Sequence, residues 1–244
     1  MEGLFQALVQ VFTPGTELSN IMLVTLQMAL CSTVISMAIG VPAGLAIGFS
    51  NFRGKRVVLR ILNTLMGLPP VLAGLIVFFI LSRSGPLGSL RLLYTVNAMV
   101  CAQVILISPI ICGLVASSVT TLVPKIHETV AGFGCTRRRE LLYLLYENRS
   151  QIFSFVFVAF GRSIGEVGAV MLVGGNVQFK TRVMTTAIML ETNKGNFEYA
   201  VALGIVLLLV SFVINSVSLS LQERSGRMGT RRLRKLVGKK GEAQ

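Results

Sequence analysis

The sequence predicts an all-α membrane protein with five transmembrane helices, and three observations carry that prediction. Hydrophobic residues make up 53% of the 244 and charged residues only 14%, whereas soluble domains carry about a quarter charged residues. Mean hydropathy is +0.74, and the apolar residues fall in blocks long enough to cross a bilayer, about 20 residues each. The basic residues behind the formal charge of +13 lie almost entirely between and after those blocks. A charge of that size also occurs in nucleic-acid-binding chains. Its placement here is the one the positive-inside rule describes, so the bilayer is the expected partner and nucleic acid is not.

Residues 1–16 form the first region, read as an interfacial amphipathic helix. Leu4, Phe5, Leu8, Val11 and Phe12 gather on one side and Gln6 and Gln10 on the other, over a length too short to span. The transmembrane region, 17–222, holds five expected spans: Leu18–Phe49, Val57–Leu81, Tyr94–Val119, Ile152–Val173 and Tyr199–Leu221. Pro42, Pro69, Pro70 and Pro109 lie inside three of them. Prolines at such depth free backbone carbonyls, which neighbouring helices or a wet cavity must satisfy, so they point to packing around a pathway. Residues 223–244 are a basic tail suited to anionic headgroups.

An odd number of spans puts the termini on opposite sides. Seventeen Lys and Arg residues then share the side of the tail, against Arg83, Arg91, Lys180, Arg182 and Lys194 on the other. The expected orientation is therefore N-terminus outside and C-terminus cytoplasmic. Cys31, Cys101, Cys112 and Cys135 show no metal-ligand or disulfide spacing, and the first three read as small buried hydrophobes. Two loops exceed ordinary connectors: 120–150 on the cytoplasmic side, and 174–198 outside with a short helix expected near Arg182–Glu191.

The cytoplasmic loop reads as helix–turn–helix. Pro124 suits a helix start, Glu128 suits the positive end of its dipole, and Gly132 and Gly134 interrupt it before a second helix from Arg137. His127 has no nucleophile or metal partner and reads as a surface residue. In the fourth span, Arg162 and Glu166 are ionisable groups at membrane depth, functional candidates by default. Their i,i+4 spacing is that of a pair on one helical face, which either fixes the span or lines a pathway. Gly161, Gly165 and Gly168 keep the surrounding surface narrow. Lys180 and Arg182 read chiefly as solvated loop charges, with attraction of an anion as the alternative. No Gly-x-x-x-x-Gly-Lys-[Ser/Thr] and no catalytic Ser/His/Asp set occurs, so the chain is read as a non-enzyme with no cofactor of its own.

Glu128-Thr129-Val130, three residues and Gly134 resemble the Glu-Ala-Ala loop of bacterial and archaeal ABC importer permeases. Leu144-Leu145-Tyr146-Glu147 stands where that pattern ends in Ile-x-Leu-Pro. Gly67-Leu68-Pro69-Pro70-Val71, Ser84-Gly85-Pro86-Leu87-Gly88 and Gly161-Arg162-Ser163-Ile164-Gly165-Glu166-Val167-Gly168 are similar to segments of molybdate and tungstate permeases. The stretches from Gly174 to Asn176 and from Arg182 to Gly195 look most like tungstate permeases. The resemblance implies a type I importer permease fold in the cytoplasmic (inner) membrane. It implies a homodimer, separate ATPase subunits that use ATP, and an external oxyanion-binding protein. Glu128, Thr129, Val130, Ala131, Gly132 and Gly134 would then couple to the ATPase. Pro69, Pro70, Arg162, Gly165, Glu166 and Gly168 would shape a pathway or gate. Molybdate, sulfate or another anion is the alternative cargo, and a secondary transporter the alternative class.

Overall fold

The computed structural model describes residues 13, 15–131 and 137–216. The expected interfacial helix at 1–16 and the basic tail therefore lie almost wholly outside the described residues, as do Gly132, Gly134 and Cys135. The described chain is helical: α1 Glu17–Phe49, α2 Lys55–Met66, α3 Pro70–Leu81, α4 Val96–Ala131, α5 Arg137–Ile164, α6 Gly168–Gly174 and α7 Met184–Asn193, followed by α8 Phe197–Ser216. A 3-10 turn at Gly88–Leu90 punctuates the loop after α3.

Local chemistry sets the ends of α1. Thr16 caps its start, the hydroxyl accepting from the Ser19 N–H at 3.3 Å, with Glu17 in the first turn. At the other end the Lys55 ammonium donates to the Gly48 carbonyl at 2.6 Å, satisfying one of the acceptors a helix terminus leaves open. Burial at this contact lowers the Lys55 pKa.

Long apolar helices supply three of the five expected spans directly: α1, α4 and α8. The other two are broken. Pro70 opens α3 while Pro69 before it is extended, with ψ at 127°. A residue preceding proline is driven out of the helical region, so the chain cannot run helically through Leu68 and Pro69. The result is a bend of 95° between α2 and α3, not the single span expected over Val57–Leu81. No residue of α2 is buried in the chain, and it carries Lys55, Arg56 and Arg60, the make-up of a helix lying at an interface. The expected fourth span bends by 59° between α5 and α6. There the break is made by Gly165, Glu166 and Val167 rather than by proline.

α4 is the axis of the bundle, with α1, α2, α3, α5 and α6 packed on it. Its contact with α1 is close because Gly40, Gly44 and Gly48 repeat every fourth residue along α1. A Cβ at Gly44 would stand 2.7 Å from the Cys112 carbonyl oxygen, and one at Gly48 2.6 Å from Val119 Cβ. Without water to drive association, such small residues let helix backbones approach closely enough for dispersion contacts to hold them. The central core gathers Met28, Met99, Ile107, Ile111, Val115 and Val170. A second cluster, Leu18, Ile21, Met184, Leu203 and Val206, seats α7 and α8 on the N-terminal half of α1. α8 leaves Val201, Leu208, Phe212 and Val213 exposed, as a helix facing lipid does.

Candidate functional site

The two helix breaks meet. A Cβ on Gly74 of α3 would lie 2.7 Å from the Ala169 Cα of α6, and one on Gly168 would lie 2.8 Å from Val71 Cγ2. Pro70, which opens α3, and Gly168, which opens α6, thus stand at one crossing, with Glu166 beside Gly168. Arg162 and Gly165 of the same sequence grouping are exposed and take no part in it. Glycine is required at the crossing because any side chain would push the short helices apart.

Breaking a helix in a bilayer exposes carbonyls and N–H groups with no water to pair with. At the α5–α6 break every nearby element helps to satisfy them. The Glu166 carboxyl oxygen Oε1 accepts from the N–H groups of Val167 and Gly168, both at 3.1 Å. An acidic side chain at the positive end of α6 completes the new helix start. Thr185 of α7 donates its hydroxyl to the Glu166 carbonyl at 2.9 Å. Gln103 of α4 donates its side-chain amide to the Ser163 carbonyl at 3.3 Å, and the Ser163 hydroxyl meets that of Ser32 on α1 at 3.0 Å. Gln103, Ser163, Ser32 and Thr185 are all buried.

The expected Arg162–Glu166 pair is not formed. α5 ends at Ile164, so the turn that would stack residues four apart stops before Glu166. Glu166 is buried on its own backbone, whereas Arg162 is exposed on the outer surface of α5 with no hydrogen-bond or ion-pair partner among the described residues. Gly161 and Gly165 beside it are exposed as well, and a Cβ at Gly161 would meet nothing within 4 Å. These glycines do not pack within the chain; they leave open space around the guanidinium.

The residues expected to couple to an ATPase stand at the far end of α4. Glu128, Thr129, Val130 and Ala131 form its last turn, joined through 132–136 to α5. Gly132 and Gly134, and the side chains of Glu128 through Ala131, are outside what is described. One polar contact braces the root of this hairpin. The Ser118 hydroxyl approaches both Asn148 Oδ1 and Gln151 Oε1, yet it has a single proton to give. Asn148 Nδ2 is buried without a partner in this arrangement. Turning the Asn148 amide lets it donate to Ser118, whose proton then goes to Gln151 Oε1, and leaves the Asn148 carbonyl in the unpartnered position instead.

On the opposite face, Arg182 is held by an ion pair with Glu17 and by Asn176 Oδ1 at 3.3 Å. It ties the loop to the start of α1 and is not a free solvated charge, while Lys180 is exposed. Met184 N–H donates to the Thr25 hydroxyl at 2.9 Å, adding a second tie to α1. Farther along, hydrogen bonds from Asn196 and Lys194 hold the Glu191 carboxyl below its usual pKa.

A bundle of this shape, split by two apposed breaks and carrying a helical hairpin at one end, has known counterparts. The family described as binding-protein-dependent transport system inner membrane component matches residues 40–227. The chain belongs to this family. As such a permease it is 38% identical over 222 residues to the tungstate uptake system permease protein TupB of Peptoclostridium acidaminophilum, covering 91% of this chain and 97% of that one. A probable anion ABC transporter permease protein of Haloferax volcanii is 39% identical over 220 residues, covering 88% of this chain and 95% of the relative. Among solved structures, a bacterial ABC transporter involved in the import of the acidic polysaccharide alginate superposes with a TM-score of 0.68. That match covers 90% of this permease and 83% of the other chain at 18% identity, a likeness of fold. The importer-permease fold expected from the resemblance is the one observed.

Sequence reasoning missed the braces at Ser32, Gln103, Ser163 and Thr185 and the glycine repeat of α1. Both were visible as types out of place: polar side chains inside apolar blocks, and glycine recurring every fourth residue.

Proposed function

We propose that two copies of this permease pair about an axis normal to the membrane and form the pathway of an importer for a tetrahedral oxyanion, tungstate foremost. An external binding protein delivers the anion and separate ATPase subunits drive the cycle. The supporting observation is the near full-length identity of 38% to a tungstate uptake permease. The N-terminus faces outward and the tail is cytoplasmic, in keeping with the bias of basic residues. The segment from Glu128 to Gly134 takes the grip of the ATPase. ATP-driven closure of the ATPase pair then rocks the two permeases between outward- and inward-open states. Molybdate and sulfate are the competing cargoes.

Cells lacking the gene, grown in nanomolar tungstate with molybdate present, are expected to lose cellular tungsten while retaining molybdenum, both counted by mass spectrometry. Loss of molybdenum alone would reassign the cargo to molybdate, and unchanged content of both would remove the tungstate and molybdate readings and leave sulfate or another anion. Gly134→Asp is expected to cut ATP-dependent uptake by roughly tenfold or more while membrane insertion is retained, because a charged side chain enters a segment that must fit a partner surface. Normal uptake by this variant would place coupling elsewhere.

A further inference from the structure

Arg162 has no role in holding this chain together, and its position makes that absence informative. Roughly 16 Å of helix rise separates it from Gln151, where α5 enters the apolar region, and a similar length of chain leads on to Gly174. The next residue, Ser163, hydrogen-bonds Ser32, which stands halfway along α1. Arg162 therefore lies near the middle of the bilayer, exposed and unpartnered. A guanidinium stays charged at any working pH, and a charge at that depth must face water, an anion or another subunit rather than lipid tails. The acidic residue nearest in the sequence, Glu166, is committed to the start of α6. Gly161 and Gly165 keep the approach to Arg162 clear.

We infer that Arg162 is a ligand of the transported oxyanion at the midpoint of the pathway. This rests on the oxyanion-importer reading above. The chemistry suits it: the planar fork of a guanidinium donates two parallel N–H bonds to two oxygens of a tetrahedral anion. Two chains about a two-fold axis present two such forks, whose charges match one dianion and whose donors reach its four oxygens. Such a site holds the anion between the outer and inner gates, weakly enough for it to leave. Monoanions of similar size neutralise only half of the charge and are held less well.

The test uses the complete complex of permease, ATPase and binding protein in proteoliposomes, with tungstate as probe. R162Q is expected to lower ATP-driven tungstate uptake by roughly tenfold or more while binding-protein-stimulated ATP hydrolysis is retained, with partial recovery in R162K. Uptake at the wild-type rate in R162Q would overturn the assignment. If R162Q fails to assemble, the unaltered complex decides. Phenylglyoxal is expected to modify Arg162, read by peptide mass spectrometry, and tungstate to protect it. An unreactive Arg162, or one modified equally with and without tungstate, would overturn the assignment. A wild-type complex that moves no oxyanion would instead remove the importer reading on which it stands.

Discussion

Replacing Gly44 with leucine is expected to lower the stability of the purified permease by about 3 kcal/mol or more, the upper range for forcing volume into a packed contact. The reason is geometric. The Cβ would sit 2.7 Å from a backbone oxygen of α4 and 2.8 Å from Val115 Cβ, so α1 must move as a body to make room. That movement would also forfeit the neighbouring approaches at Gly40 and Gly48, which share the face. Gly204→Leu is the control. A Cβ there meets nothing within 4 Å, and the change is expected to shift stability by less than about 0.5 kcal/mol. Thermal melting followed by circular dichroism in detergent compares the two, and equal midpoints would mean that the glycine face of α1 does not set the packing.

Glu166→Ala is expected to cost about 2 kcal/mol, the scale of a lost cap with two buried donors left open. Glu166→Gln keeps a carbonyl acceptor and is expected to cost less than half as much. Because Glu166 does not pair with Arg162, the effects of Glu166→Ala and Arg162→Ala on melting are expected to add within about 0.5 kcal/mol. A clearly smaller loss in the double variant than in Arg162→Ala alone would restore the pair that the i,i+4 spacing suggested. Melting of the four proteins (parent, two single variants and the double) measures this directly.

That spacing shows where sequence reading reached its limit. Residues four apart meet only while the helix continues, and Gly165 ends it one residue before Glu166. The glycines were read as a surface for packing, when one of them also stops the helix. The proline pair at Pro69 and Pro70 was recognised as lying in a span, but a bend of 95° depends on what α3 can lean on. Its partner is α6, distant in sequence, so the angle was not legible locally. By contrast α1, α8 and the apolar part of α4 followed from length and hydropathy, because a continuous apolar run in lipid has no alternative to helix. α4 itself continues through Pro124, where a separate helix was expected to start. Pro69, Pro70, Arg162, Gly165, Glu166 and Gly168 could be picked out because each is a type that a plain span would not contain, but which of them meet was not legible.

α4 gives the bundle a property that no single contact conveys. It runs over 36 residues, from Val96 to Ala131, and so measures about 54 Å. A rod of that length turning about its centre by roughly ten degrees carries each tip through about 5 Å, one helical turn. Under the coupling proposed above, a push at the Ala131 end of this rod returns as an opposite stroke at its Val96 end. In the proposed cycle such a seesaw would carry the ATPase's stroke from one end of the bundle to the other without a relay of side chains.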